Sequence, residues 1–152
     1  MIRVNVEINS KYWLTKINNP KKYFTKKLKL IKKFIKSING KNITFTILLT
    51  NSLNIKRLNK KFRNKNKPTD VLSFPSFEKK KLKYTKQKNC YLGDIAIAYE
   101  IINLRSGKKN FILEFDKAWI HGFLHLLGYD HIKNEDYFKM NRIEKKIINS
   151  IS

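Results

Sequence analysis

The chain has 152 residues and a mass of 18.1 kDa, with 34 Lys and Arg residues against 11 Asp and Glu residues. A hydrophobic content of 41% excludes a mainly disordered protein, and no apolar run approaches the roughly 18 residues of a membrane span. The single cysteine, Cys90, excludes an internal disulfide framework and favours a reducing compartment. We therefore expect one soluble, cytoplasmic domain over residues 1–152, long enough to fold without disulfides.

The formal net charge of +23 predicts a polyanionic partner, with nucleic acid ranked before an anionic membrane surface. Of the basic residues, 29 are Lys and five are Arg, and Ile and Asn are also frequent. These residue types are favoured by A/T-rich codons, so part of the charge is open to a genomic explanation. Charge alone therefore does not decide whether the protein binds RNA.

The first forty residues predict a strand and then a long helix. Residues 2–8 alternate apolar and polar side chains, which is typical of a strand. Asn19 and Pro20 are typical of a helix start, and Gly40 of a helix end. An apolar face of this helix is formed by Phe24, Leu28, Ile31, Ile35 and Ile38. A second face, the lysine face, carries Lys22, Lys26, Lys29, Lys33 and Lys36. The lysine face either is simply solvated or contacts RNA.

The middle of the chain predicts three more strands and one helix. The strands are expected at residues 42–49, 70–75 and 91–98. A helix is expected at residues 52–63, with a buried side formed by Leu53, Leu58 and Phe62. The lysine-rich residues 78–89 are expected to form a loop or hairpin between strands.

The last third predicts helices at residues 99–106, 110–127 and 134–150, the first two ending at glycines. Strands and helices are intermixed along the chain, and we find no repeat and no interdomain linker. The expected fold class is therefore α/β or α+β in a single domain.

All three histidines lie within eleven residues, in the segment HGFLHLLGYDH that runs from His121 to His131. His121 and His125 are four residues apart on a predicted helix, so their rings project from one face. Gly128 is suited to end that helix and turn the chain back, which would bring His131 to the same point. Three neutral imidazoles at one point predict a zinc site, with one Zn²⁺ per chain.

Three protein ligands leave a coordination position free, which is typical of a catalytic zinc site rather than a structural one. Cys90 or Asp130 is also able to close the site as a fourth ligand. A third interpretation is that the histidines are unrelated buried residues, but the ligand spacing argues against it.

The spacing also matches the metzincin protease pattern H-E-x-x-H-x-x-G-x-x-H, including its glycine at Gly128. The glutamate that serves as general base in that pattern falls at Gly122, so a peptide bond is not the expected substrate. A glycine inside this helix costs about 1 kcal/mol relative to alanine. Either a backbone approaches closely at Gly122, or the metal needs room there.

Four segments together are similar to one known family. HGFLHLLGYDH resembles the metal-binding motif of the YbeY family, the bacterial rRNA maturation factors and metal-dependent endoribonucleases. The block LNKKFRNKNKPTDVLSFP (58–75) and the segment LGDIAIA (92–98) resemble two further family motifs in order and spacing. Met140 and Glu144 fall in a final helix like that of the family. The resemblance covers about residues 43–150.

The resemblance implies a mixed sheet of about four strands packed with several helices, and a metal site at the end of a buried helix. It implies a single-strand-specific, zinc-dependent endoribonuclease that matures the 3′ end of small-subunit rRNA and acts in ribosome quality control. Its partners would be single-stranded RNA, rRNA and the small ribosomal subunit. By this match His121, His125 and His131 are the metal ligands, and Arg63 is the functional arginine.

Without the resemblance, Arg63 would be interpreted as a surface residue. Two other functions also stay open: a metallohydrolase acting on a non-RNA substrate, and a non-catalytic, zinc-containing ribosome-associated factor. Two roles stay open for each of three carboxylates: a hydrogen bond to a ligand imidazole, or a turn or capping role. These carboxylates are Asp70, Asp94 and Asp130. Ser73 is expected to be structural, and Trp119 is expected to lie in the core.

Overall fold

A mixed sheet of four strands lies at the centre of the computed structural model, which describes residues 1–78 and 81–152. The strands are β1 (Ile2–Ile8), β2 (Asn42–Thr50), β3 (Val71–Pro75) and β4 (Asn89–Ala98). Their order across the sheet is β1-β2-β4-β3. Strands β1, β2 and β4 are parallel, and β3 runs antiparallel to β4. The predicted α+β class with a mixed sheet of about four strands is confirmed.

Six α-helices accompany this sheet within the described residues. They are α1 (Pro20–Ile31), α2 (Ser52–Arg63), the short α3 (Lys81–Tyr84), α4 (Tyr99–Ser106), α5 (Phe111–Leu126) and α6 (Asn134–Ile151). Among residues 1–78 and 81–152, none of the helices has both the length and the apolar character needed to cross a membrane.

The prediction of one helix from Pro20 to Gly40 is wrong in its second half. Helix α1 ends at Ile31 and is followed by two short 3-10 turns, Lys32–Phe34 and Lys36–Ile38. The chain leaves the helical conformation at Ile35, where φ is −116° and ψ is 86°. All five residues of the predicted apolar face are nevertheless buried, so the hydrophobic spacing survives the change of backbone.

The expected loop or hairpin at residues 78–89 contains the short helix α3, whose Leu82 is buried. Residues 79 and 80 of this segment lie outside the described residues. Burial of a single leucine between two lysines gives too weak a periodicity to predict a helix from sequence.

Helix α2 buries a face that shares only Leu58 with the predicted one, and Leu58 is half-buried against the cluster around Ile55. Leu53 and Phe62 are 58% and 57% exposed, whereas Ile55 and Asn59 are buried. Ile55 packs with Leu72, Ala96 and Ala98. The Asn59 side chain donates a hydrogen bond to the carbonyl of Lys67 at 2.8 Å. The buried face is thus decided by the sheet edge and by a polar loop anchor, not by the largest apolar side chains of the helix.

Helix α5 is buried on most of its surface and contacts β3, β4, α4 and α6. Trp119 is fully buried, as predicted. A Cβ at Gly122 would lie 2.9 Å from Ile95 Cγ2, 3.0 Å from Ser73 Oγ and 3.2 Å from Val71 Cγ2. Ser73 Oγ also donates to the Gly122 carbonyl at 3.2 Å. Gly122 therefore allows close packing of α5 on the sheet.

A buried carboxylate holds α1 against α5. Asp116 is 1% exposed and accepts hydrogen bonds from Tyr23 Oη at 2.5 Å, Lys27 Nζ at 2.9 Å and Trp119 Nε1 at 2.8 Å. Lys27 Nζ also donates to the carbonyl of Ile151, which ties in the end of α6. Burial and the neighbouring Asp116 charge raise the pKa of Tyr23, so its hydroxyl stays a donor.

We expect Asp116→Ala to destabilise the fold strongly, by about 3–5 kcal/mol, because it removes the counter-ion of the half-buried Lys27 ammonium and the acceptor of Tyr23 and Trp119. The measurement is the free energy of unfolding from denaturant titration. The control is Glu78→Ala, which removes an exposed ion pair with Lys81 and should cost less than about 1 kcal/mol. Equal losses in the two variants would contradict a role for this buried network.

Candidate metal centre and active site

An open cleft of about 690 Å³ lies where the second half of α5 meets β3 and α6. Its lining includes all three histidines together with Arg63 and Glu144. The three predicted histidine ligands and the predicted arginine therefore face the same cleft.

The three imidazoles lie at one point. His121 and His125 are one turn apart on α5, and their Nε2 atoms are 3.1 Å apart. His131 follows Gly128, which takes a left-handed conformation with φ at +88° and turns the chain back as predicted. One ligand nitrogen from each ring lies within 4.8 Å of the others. Nitrogens held about 2.0–2.1 Å from a tetrahedral zinc are about 3.3–3.4 Å apart, so this donor set fits zinc with small adjustments.

Two of the rings are oriented by partners on their other nitrogen. His125 Nδ1 donates to the carbonyl of Tyr129 at 3.0 Å, which directs the Nε2 lone pair into the cluster. His121 Nδ1 lies 3.3 Å from Glu144 Oε1 on α6, which leaves His121 Nε2 free in the same way. Such partners fix the tautomer and the ring plane of metal-binding histidines.

The pKa of His125 is lowered to about 4, mainly because burial penalises the charged imidazolium. Repulsion from His121, and to a smaller extent from His131 and Arg63, lowers it further, and the hydrogen bond to Tyr129 opposes the shift. His125 is therefore neutral at neutral pH. A neutral imidazole is the form that binds a metal ion.

Arg63 is the last residue of α2, and its Nη2 donates to the carbonyl of Ser73 on β3 at 3.5 Å. The guanidinium is exposed to the cleft, and its charge contributes to the lowered pKa of His125. The polar loop between α2 and β3 thus brings Arg63 beside the histidines and next to Ser73, which is ten positions further along the chain. Its catalytic role stays a prediction.

The three carboxylates whose roles were left open fall into two groups. Asp70 forms an ion pair with Arg105 at 2.5 Å, and Asp94 accepts a hydrogen bond from Tyr91 at 2.6 Å, so both bind partners other than histidine. Asp130 Oδ1 accepts from the backbone N–H of His131 at 2.7 Å and lies 3.6 Å from its Nδ1. Asp130 therefore both caps the turn and faces a candidate ligand.

Cys90 does not lie at the cleft. It is buried, its Sγ donates to the carbonyl of Gln87 at 3.4 Å, and it lines a separate cavity near the start of β1. The proposed closure of the metal site by Cys90 is wrong, because β4 places this residue near the start of the strand, away from the histidines.

The sequence interpretation gave Glu144 no role in orienting a histidine. The sequence contained a signal for this role, because Glu144 shares one face of α6 with Met140 and Ile147, both of which are buried. An acidic residue on the apolar face of a helix requires a polar partner inside the protein. That partner is His121.

We expect Glu144→Ala to weaken zinc binding about 10- to 100-fold, because the His121 ring loses the acceptor that orients it. The measurement is zinc affinity by competition with a chromophoric chelator. Glu114→Ala is the matched control, since Glu114 also lines the cleft but pairs with Lys117 instead of a histidine. Equal affinity in wild type and Glu144→Ala would exclude the orienting role.

The fold and the cleft together define a class of protein: a small α+β domain with a candidate three-histidine metal centre in an open cleft beside an arginine. The chain belongs to the YbeY family, since the family model described as Endoribonuclease YbeY matches residues 5–152. The resemblance inferred from the sequence motifs is confirmed.

Curated relatives and one solved structure agree with this assignment. The chain is 52% identical to the endoribonuclease YbeY of Pelagibacter ubique over 97% of this chain and 94% of that protein. It is 40% identical to the endoribonuclease YbeY of Buchnera aphidicola from Acyrthosiphon pisum, covering 97% and 92% of the two chains. The solution structure of a Thermotoga maritima protein superimposes with a TM-score of 0.61 at 28% identity, covering 99% of this chain and 89% of that one.

Proposed function

We propose that this protein is a zinc-dependent endoribonuclease that cleaves single-stranded RNA. We further propose that its substrate is the 3′ end of small-subunit rRNA, that it acts on the small ribosomal subunit in the cytoplasm, and that it takes part in ribosome quality control. The observation that supports the proposal most is the single cleft that joins three imidazoles to an exposed arginine, in a chain of the YbeY family with a net charge of +23.

His121, His125 and His131 would hold one zinc ion per chain. When bound there, zinc supplies a Lewis acid that also lowers the pKa of a water molecule. Cleavage of a phosphodiester builds negative charge on the non-bridging oxygens. Arg63 offers a planar guanidinium with several N–H donors for that charge, and one of them makes a long contact of 3.5 Å with the Ser73 carbonyl. The attacking oxygen comes either from water or from the 2′-hydroxyl of the RNA.

A protease-like metallohydrolase is less well supported. The position of the general-base glutamate in the metzincin pattern is Gly122, which packs against side chains of β3 and β4. A glutamate would not fit there, and Gly122 itself carries no base. A non-catalytic zinc protein would be favoured by a fourth protein ligand. Among the described residues, the cluster of side chains that could hold a metal ion consists of the three histidines, with no fourth protein ligand.

The test is cleavage of a defined single-stranded RNA by the zinc-loaded protein, compared with a duplex of the same sequence and with casein. We expect cleavage of the single strand alone, and its loss in His125→Ala. Endonucleolytic trimming of precursor small-subunit rRNA within purified subunits tests the proposed substrate separately. Cleavage of casein, or of no substrate with zinc present, would overturn the proposal.

The lysine face and the 79–88 segment are expected to add non-specific affinity for RNA. Lys22, Lys26 and Lys29 line a shallow depression on α1, where the side chains are free to contact phosphates. Binding should weaken steeply with salt, and each lost phosphate contact should reduce the slope of log affinity against log salt by roughly 0.7. The measurement is RNA affinity at several salt concentrations for wild type and a Lys22→Gln/Lys26→Gln/Lys29→Gln variant. If the RNA affinity did not change with salt concentration, the basic charge would reflect genomic composition instead of RNA binding.

A further inference from the structure

Another cavity, of about 740 Å³, lies on the other side of α6 from the histidine cleft. We call it the α6 groove. Its walls are one face of α6, the 3-10 turns that follow α1, and Tyr129. Its volume is in the range of small-ligand sites, about 300–1,000 Å³. It is therefore large enough for part of a nucleotide chain.

The α6 groove is strongly basic. Five cations line it against one carboxylate, Glu135. The cations are Lys33, Lys36, Lys139, Arg142 and Lys146. They approach from both walls, and their residues are exposed, so their charges are available to a polyanion that lies between the walls.

Aromatic rings accompany these charges. Phe138 lies among the cations of α6 and is 65% exposed, although burial would stabilise such a side chain. Phe34 forms part of the opposite wall and is half-buried. Cations interleaved with exposed aromatic rings are the arrangement by which proteins hold single-stranded nucleic acid, with phosphates on the charges and bases stacked on the rings.

The α6 groove and the histidine cleft share a lining residue. Tyr129 lines both, and its carbonyl accepts the hydrogen bond from His125. On α6 the adjacent residues Ile143 and Glu144 line the groove and the cleft, respectively. The two cavities therefore adjoin at Tyr129 and at the Ile143–Glu144 step of α6, close enough for one linear polymer to occupy both.

We propose that the α6 groove is a second RNA subsite, which binds the single strand adjacent to the bond placed in the histidine cleft. Phe138 stacks on a base, and Lys139, Arg142 and Lys146 contact the backbone phosphates. This inference rests on the proposed ribonuclease function, because it assigns the path of the same substrate.

The first experiment measures the affinity of the full-length, zinc-loaded protein for a fluorescent single-stranded RNA, with RNA integrity checked after each titration. Phe138→Ala should raise the Kd by about 5- to 150-fold, the range that corresponds to loss of one stacked base. Phe138→Tyr keeps the ring plane and should bind like wild type. Phe138→Leu keeps the apolar volume but not the plane, and should behave like Phe138→Ala. Equal binding by Leu and Tyr variants would overturn the stacking role.

The second experiment compares two neighbouring lysines of α6. Lys146 lines the groove, whereas Lys145 is exposed but does not line it. Lys146→Gln should reduce the salt slope of RNA binding by roughly 0.7, and Lys145→Gln should leave it nearly unchanged. Equal effects would show that overall charge, not the groove, attracts the RNA.

Cleavage assays distinguish failure of the subsite proposal from failure of the proposed ribonuclease function. Phe138→Ala should raise the KM for a long RNA with little change in kcat, and should cleave a dinucleotide like wild type. If this variant cleaves long RNA with a normal KM, the proposed RNA subsite in the α6 groove is overturned and the ribonuclease function stands. If wild type neither binds nor cleaves RNA, both proposals fail. If Phe138→Ala loses binding to phosphatidylserine vesicles but not to RNA, the groove is a membrane contact instead.

Discussion

Changing His125 to Ala is expected to reduce the zinc content of the dialysed protein from about one ion per chain to near zero. His125 is the ring whose Nε2 lies 3.1 Å from that of His121 and whose Nδ1 is fixed by Tyr129. Without it the cluster has two imidazoles, which is a poor zinc site because such ions normally take at least three protein ligands. The measurement is elemental analysis of the purified variant.

Two accompanying variants make this result specific. Asp130→Ala removes the carboxylate nearest His131 and should retain zinc if the three histidines are the complete protein ligand set. Circular dichroism and thermal unfolding must show that His125→Ala is folded, since an unfolded variant would lose zinc for a trivial reason. Unchanged zinc in folded His125→Ala would remove the histidine cluster as the metal site. Zinc lost in both variants would show that the site also needs Asp130, as a fourth ligand or as the partner that orients His131.

Features that depend on neighbouring residues in the chain were predictable from the sequence. The alternation of residues 2–8 and the glycine that ends α5 are local, and both match the structure. The juxtaposition of the histidines was predictable for the same reason, because one helical turn and one glycine turn bring all three rings together.

Features decided by tertiary packing were not predictable. Helix α2 buries Ile55 and Asn59 because the sheet edge and the loop at Lys67 meet that face, whereas its exposed Phe62 packs edge-to-face on Phe74. The sequence left two explanations for Gly122, and contact with Ile95 and Ser73 decides for close packing on the sheet. In each case the deciding partner is distant in sequence.

Arg63 is expected to affect the rate of cleavage much more than the binding of RNA. The loop from residue 64 to 70 and strand β3 place its guanidinium at the cleft, with Nη2 3.5 Å from the Ser73 carbonyl. In a chain with 34 basic residues, loss of one positive charge should change overall RNA affinity little. Loss of a donor aimed at the charge that develops in the transition state should slow the chemical step by roughly 10²–10³-fold.

The experiment is single-turnover RNA cleavage by Arg63→Ala at saturating enzyme, with zinc measured in the same preparation. Arg63→Lys keeps the charge but loses the planar pair of donors, so it should restore little of the rate. Arg57→Ala is the matched control, because Arg57 is an exposed arginine of the same helix that does not line the cleft. Zinc should be unchanged in all three variants, since neither arginine is a ligand. A slow Arg63→Ala beside a normal Arg57→Ala assigns the lost rate to position 63. Near-normal cleavage by zinc-loaded Arg63→Ala would remove Arg63 from the active site and leave the histidine cluster as its one assigned element.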